Sequence, residues 1–209
     1  MRTRIKICGI TRPDDAAFAA NAGADAIGLV FHARSPRAVT PRGAREIVRA
    51  VPPFVTIVAL FLDPEPDTVE QVLRTVPIDL LQFHGRESAE FCRGFGMRYI
   101  KAMPMADDAA DPARFVERFG DAAGFLLDSH GAGESGGTGV PFDWSRYPGE
   151  LDAPLILAGG LSPDNVAEAI AATRPWAVDV SSGVESGPGL KDRTLIATFI
   201  REVQRVERD

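Results

Sequence analysis

The chain has 209 residues, 45% hydrophobic and 25% charged, the balance of an ordinary water-soluble globular protein with enough length to enclose a large core. Its 23 basic and 29 acidic residues give a net charge of −6, and no stretch gathers Lys and Arg with interleaved aromatics, which argues against a nucleic-acid or anionic-membrane partner. No run approaches the roughly 18 apolar residues of a membrane span. The basic start MRTRIK leads into an apolar run that Pro13, Asp14 and Asp15 cut too early for a secretory signal. A single domain over residues 1–209 is expected.

Taken in chain order, short apolar runs alternate with capped amphipathic segments. RIKIC (4–8) reads as a strand, followed by the helical RPDDAAFAANAG. AIGLVF (26–31) precedes TPRGAREIVRAV, TIVALFL (56–62) precedes PDTVEQVLRTV, and LLQFH (80–84) precedes SAEFCRGF. YIKAM (99–103) leads into DPARFVERFG, and GFLLD (124–128) into a glycine-rich loop and the short segment FDWSRYPG, broken by Pro148. PLILAG (154–159) precedes SPDNVAEAIAATR, and AVDVSS (177–182) precedes the closing DRTLIATFIREVQRVER. Ser162 with Pro163 reads as an N-cap and first helical position, and Asp192 as the cap of the last helix.

Runs such as GLVF, IVALFL and LILAG suit parallel strands buried on both faces. Eight β-α units in this length predict a (β/α)8 TIM barrel, with a doubly wound sheet as the alternative that the missing first-turn GxGxxG disfavours. In such a barrel the site lies at the C-terminal ends of the strands. Those ends carry Cys8, His32 with Ser35, Pro36 and Arg37, Asp63, His84, Lys101, and Asp128 with Ser129 and His130. All three histidines of the chain fall at this rim, and their company with a thiol and carboxylates points to a site.

Gly159 and Gly160 end the seventh strand, and Ser181, Ser182 and Gly183 the eighth. Close backbone approach at glycine and amides at helix starts favour an anion there, so a phosphate is expected. The loop HGAGESGGTGVP after the sixth strand reads either as a cover that closes over substrate or as a flexible connection. Cys8 and Cys92 lie far apart without CxxC spacing, which indicates neither a disulfide framework nor a zinc site and suits a reducing cytoplasm. Cys92, beside Phe91 on a helical face, is expected to pack in the core.

Together KICGIT, GLVFHARSPR, LQFHG, LLDS, GGTGVPFDW, LAGGLSPDNV and DVSSGVESGPGLKD resemble the phosphoribosylanthranilate isomerases of tryptophan biosynthesis, in order and from the first strand to the last helix. The resemblance implies a small phosphosugar substrate, no cofactor and no metal, and leaves monomer and homodimer both open. It implies an Amadori rearrangement in which Cys8 is the general base and Asp128 the general acid. It further assigns Arg37 to the anthranilate carboxylate and sets His84 and Asp179 among the substrate-binding rim residues. Asp128 would then need its pKa raised from about 4, and Cys8 its pKa lowered from about 8.5 towards neutrality with help from a positive group that the sequence does not identify. The family more often carries an aromatic and a proline before SPR, where this chain has His32-Ala33-Arg34.

Two other readings stand beside this one. The related isomerase of histidine biosynthesis has an aspartate at the strand-one position and a phosphate site in each half, whereas FLDPEP and FHGRES lack a second glycine-serine cradle. A catalytically silent phosphosugar-binding barrel would share the fold without the activity.

Overall fold

Alternation along each strand decides this architecture. In the computed structural model, which describes residues 2–105, 111–128 and 143–206, the apolar runs form eight parallel strands. They are β1 (Arg4–Cys8), β2 (Ala26–Val30), β3 (Thr56–Phe61), β4 (Leu80–Phe83), β5 (Tyr99–Pro104), β6 (Gly124–Asp128), β7 (Leu155–Leu157) and β8 (Ala177–Val180). Each pairs with its neighbour in order, and β8 returns to β1 to close the barrel. The helices α1 (Pro13–Ala22), α2 (Pro41–Arg49), α3 (Pro66–Thr75), α4 (Ala89–Arg93), α5 (Pro112–Arg118), α6 (Val166–Thr173) and α7 (Arg193–Val206) connect the strands.

The two faces of each strand enter different cores. Ile5, Ile7, Leu29, Phe61, Phe83, Met103, Leu127, Leu157 and Val178 belong to the large cluster shared with the helices, while Ile100, Ala102, Leu126, Ile156, Ala158 and Ala177 form a separate cluster inside the ring. The period of two then carries inward-facing positions up to the rim, where Cys8 follows Lys6, His84 follows Gln82 and Asp128 follows Leu126. A one-residue slip in β1 or β6 would aim Ile7 or Leu127 into the cleft instead.

Local signals start most of the helices. Proline opens α1, α2, α3 and α5, where a missing N–H costs nothing and its fixed φ suits the first turn. Side-chain oxygens of Thr40, Ser88 and Asp111 accept amide hydrogens at the starts of α2, α4 and α5, and Asp192 Oδ1 accepts from Thr194 and Leu195 at α7 as expected.

Several boundaries differ from the sequence expectation, most of them by one residue. β7 and β8 stop at Leu157 and Val180, because Gly159 (φ 77°) and Gly160 (φ 66°) turn the backbone left-handed and Ser181 leaves the extended region. Ser162 does not cap an α-helix that begins at Pro163. Its hydroxyl accepts from the Asp164 amide in a turn, and α6 begins only after Asn165. FDWSRYPG supplies only a 3-10 turn at Trp144–Arg146, and an unexpected hairpin of β9 (Glu185–Gly187) and β10 (Leu190–Lys191) follows β8. Ser129, His130 and the glycine-rich loop lie outside the described residues. Among the described residues no helix is long and apolar enough to cross a membrane.

Gly28 of β2 faces the site strand so closely that a Cβ would stand 2.7 Å from Cys8 Sγ and 3.1 Å from Cys8 Cα. Gly28→Ala is expected to destabilise the barrel by about 1–3 kcal/mol, the cost of overpacking, as read from urea unfolding. A variant with an unaltered unfolding midpoint would show that β1 and β2 can separate freely.

Candidate active site

One cleft at the C-terminal mouth is lined by Cys8 from β1, Arg37 from the loop after β2, His84 after β4, Asp128 at the end of β6, Gly159 and Gly160 after β7, and Asp179, Ser181 and Ser182 at β8. His32, Ser35 and Pro36 also line it. Among the described residues, those singled out from sequence for the rim therefore converge, with three exceptions. Gly183 lies off the cleft wall, pressed against the Leu161 carbonyl, which would occupy the place of a Cβ. Asp63 accepts the Arg86 amide at the outer rim, and Lys101 is sealed below the β4 loop against Glu87 and the carbonyls of Phe83 and Gly85. Cys92 is fully buried in the outer core, and burial pushes its thiol up to about 12, as suits a packing residue.

Lys6 lies two residues before Cys8 on the same strand face. Its Nζ donates to Asp179 Oδ1 at 2.8 Å, and the two side chains are only 5% and 9% exposed. Burial alone would pull the Lys6 ammonium down, but Asp179 and the neighbouring Cys8 outweigh it and hold the ammonium above its ordinary value. For Cys8 the balance goes the other way. Burial pushes the thiol up, Lys6 and Lys191 oppose this, and Asp179 reinforces it, leaving a net rise. The lowering expected from sequence is therefore not seen. Lys6 is a positive group beside the sulfur that the sequence did not identify, and Asp179 opposes its effect there.

His84 joins Asp128 to a residue that sequence reasoning missed. Nε2 of His84 stands 3.2 Å from Asp128 Oδ2, while its Nδ1 lies 3.2 Å from Gln82 Nε2. An amide N–H donated to Nδ1 leaves the imidazole proton on Nε2, facing the carboxyl. Gln82 is fully buried and lines the cleft, and its Oε1 has no partner, so it can accept a ligand hydroxyl. The available signal was its period: Gln82 stands two residues before His84 in an otherwise apolar strand.

Arg37 is held rather than loose. Its Nε and Nη2 donate to the two carboxylate oxygens of Glu185, each at 2.8 Å, and Glu185 Oε1 also accepts from Lys191 Nζ at 2.8 Å. Burial would raise the Glu185 carboxyl, but these two cations hold it below its ordinary value. Lys191 is lowered mainly by burial, against the pull of Glu185. Gly9 permits the arrangement: it has φ 74°, and the Arg37 side chain fills the space a Cβ would need. The fork leaves the Nη1 group of Arg37 for a ligand, and the trio carries one net positive charge.

At the other end of the cleft, Asn165 pins the turn after β7. Its Nδ2 donates to the Gly160 carbonyl at 2.9 Å, and its Oδ1 accepts from the Ser162 amide at 2.8 Å. Among the described residues the amides of Gly160 and Ser182 donate to no backbone carbonyl. Two left-handed glycines beside a serine at the start of a 3-10 turn make a donor-rich concavity suited to an oxyanion.

The chain matches the family model described as N-(5'phosphoribosyl)anthranilate (PRA) isomerase over residues 5–202. A relative from Halorhodospira halophila, an N-(5'-phosphoribosyl)anthranilate isomerase, is 57% identical over 205 residues that span 98% of each chain. The Pseudomonas aeruginosa protein of the same name is 53% identical over 99% of this chain and 97% of its own. The solved Thermotoga maritima phosphoribosyl anthranilate isomerase superposes with a TM-score of 0.84 at 39% identity, over 97% of this chain and 99% of that one. A similar isomerase has been solved in complex with reduced 1-(o-carboxyphenylamino)-1-deoxyribulose 5-phosphate, with a TM-score of 0.81 at 38% identity over 97% and 99% of the two chains. With a barrel of this order, a cleft of this composition and relatives matched along nearly their whole length, the chain belongs to the N-(5'-phosphoribosyl)anthranilate isomerase family.

Proposed function

We propose that this chain, as one barrel domain in a reducing cytoplasm, converts N-(5-phosphoribosyl)anthranilate to 1-(2-carboxyphenylamino)-1-deoxyribulose 5-phosphate, with Asp128 as general acid and Cys8 as general base. The observation that carries the reading is the convergence of that thiol and that carboxyl in one cleft, between an arginine fork at one end and a donor-rich glycine turn at the other. The substrate has matching ends, a benzoate carboxylate for Arg37 and a phosphate for the backbone around Gly159, Gly160, Ser181 and Ser182, with Gly183 holding that turn against Leu161. His84 and Asp179 flank the sugar between them.

The protonated carboxyl of Asp128 gives its proton to the ribose ring oxygen as the C1–O bond breaks. The anilino nitrogen lone pair moves into C1 to form an iminium. That cation acidifies the C2 proton, which Cys8 thiolate removes, leaving an enolamine that tautomerises to the aminoketone. Buried Lys6 stabilises the thiolate against the cost of burial, and Lys191 adds to it at longer range. His84 faces Asp128 and receives its orientation from Gln82.

The test is the decay of anthranilate fluorescence after addition of freshly generated substrate. Decay no faster than in a protein-free control removes the enzyme reading. Cys8→Ala and Asp128→Asn are each expected to lower kcat by at least about 100-fold with an unchanged circular dichroism spectrum. Cys92→Ala should retain turnover, and a folded but inactive Cys92→Ala would overturn the choice of base.

Because burial raises the Cys8 thiol and the thiolate is the working form, kcat/KM is expected to climb with pH above neutrality; a profile already flat at pH 7 would contradict that role. Arg37→Ala should raise KM about 30-fold, the equivalent of roughly 2 kcal/mol from a desolvated charge contact. An unaltered KM would remove Arg37 from the carboxylate.

Glu185 has its folded pKa depressed, so its stabilisation is fully present above its unfolded pKa and is lost as pH falls through the folded value. Glu185→Gln should therefore be about 1.5–3 kcal/mol less stable than the parent at neutral pH, and the gap should close in acid. Urea midpoints taken across that range would read it, and a gap independent of pH would refute the charge role.

A further inference from the structure

Half a turn around the barrel from the proposed phosphate turn lies a second rim built on the same plan. β3 and β4 stand opposite β7 and β8 in the closed ring. Asp63, two residues past the end of β3, is left-handed at φ 44°, as Gly159 is at φ 77° two residues past β7. Gly85, in the loop after β4, lies so close to Asp63 that the aspartate side chain fills the place of a Cβ. Gly183, in the loop after β8, is pressed instead on the Leu161 carbonyl. Each rim thus brings a glycine of the even strand's loop against the odd strand's loop, chiefly onto a side chain at β3–β4 and onto backbone at β7–β8.

The two rims differ in what their amides do. Those of Gly160 and Ser182 donate to no backbone carbonyl among the described residues. At the β3–β4 rim the amides are taken by side chains of the protein itself. The Asp63 amide donates to Glu87 Oε1 at 2.9 Å, and the Gly85 amide donates to Oε1 at 3.1 Å and Oε2 at 2.9 Å. Lys101 Nζ stands 3.2 Å from Glu87 Oε2, and both side chains are only 2% exposed. Two amides from separate loops and a buried ammonium around one carboxylate are the surroundings of a bound oxyanion.

We infer that Glu87 is a built-in anion, filling beneath the β4 loop an oxyanion cradle of the same kind as the one proposed for phosphate, and the comparison rests on that reading. The cradle lies outside the cleft, and removing the Glu87 side chain should open a site there for a small oxyanion held by Lys101 and the amides of Asp63 and Gly85.

The experiment compares the wild type with Glu87→Gly and Glu87→Gln. Melting temperature is followed in sodium formate and in inorganic phosphate against chloride at matched ionic strength, and phosphate stoichiometry is read by titration calorimetry. Glu87→Gly should melt lower in chloride and recover saturably with formate, to which the wild type is indifferent, and should bind one more phosphate per chain than the wild type. If it fails to fold in chloride, folding restored by formate or phosphate gives the same answer. Glu87→Gln still fills the cradle with a carbonyl oxygen and should gain no phosphate. The inference is overturned if Glu87→Gly shows no oxyanion-specific recovery, if its stoichiometry equals that of the wild type, if it folds in none of these anions, or if Glu87→Gln gains the extra site. It is read as a difference between variant and parent, whereas a wild type that binds no phosphate at all counts against the β7–β8 turn instead.

Discussion

The barrel closes at a seam held by charge. β8 returns to β1 in a register that sets Asp179 beside Lys6, and their side chains meet at 2.8 Å inside the ring, joining positions 173 residues apart. An ion pair taken out of water to this degree adds little net stability, because desolvation consumes most of the attraction. Its contribution is register. A slip of one residue would leave both charges buried and unpaired, at several kcal/mol. With that register set, Cys8 comes out at the mouth two residues above Lys6, and the strand that carries the proposed base cannot slide relative to the strand that leads into the serine turn.

The same pair governs the electrostatics of the cleft. Two buried cations approach the thiol, Lys6 and Lys191, and each is matched by a carboxylate, Asp179 or Glu185. Burial therefore decides the state of Cys8, whose thiol stays above its ordinary value. The trio of Arg37, Lys191 and Glu185 keeps one net positive charge at the end proposed for the substrate carboxylate. The cleft thus favours the protonated thiol at Cys8 and is positive at the end proposed for the substrate carboxylate. Neutral Gln82 completes the set by orienting His84 towards Asp128 without adding a charge to the surroundings of that carboxyl.

Much of the site was legible because barrel geometry turns a one-dimensional feature, the end of an apolar run, into a three-dimensional location. Cys8, His84 and Asp128 are the last residues of such runs or the next beyond, and the period of two carries all three into the mouth. Lys101 shows where that logic fails. It lies within β5 rather than at its end, and its ammonium is drawn under the β4 loop by Glu87 and two carbonyls, so a rim-like position in sequence becomes a buried strut. The starts of α1, α2, α3 and α5 were readable from a proline and the residue before it, whereas α6 slipped because Asn165, by pinning Gly160, delays the helix by one turn.

By itself the sequence determined the number and order of the barrel strands and the identity of the mouth, since these follow from local periodicity and from which polar residues end an apolar run, while the pair proposed for acid and base came from the family resemblance. The tertiary structure alone decided the partners: Asp179 for Lys6, Glu185 for Arg37 and Lys191, Gln82 for His84, Glu87 for the amides of Asp63 and Gly85. Most of these contacts span separate elements of the closed ring. Their energies depend on desolvation and on distances of about 3 Å that no local pattern encodes, so the sign of the Cys8 shift could be read only once the ring had closed.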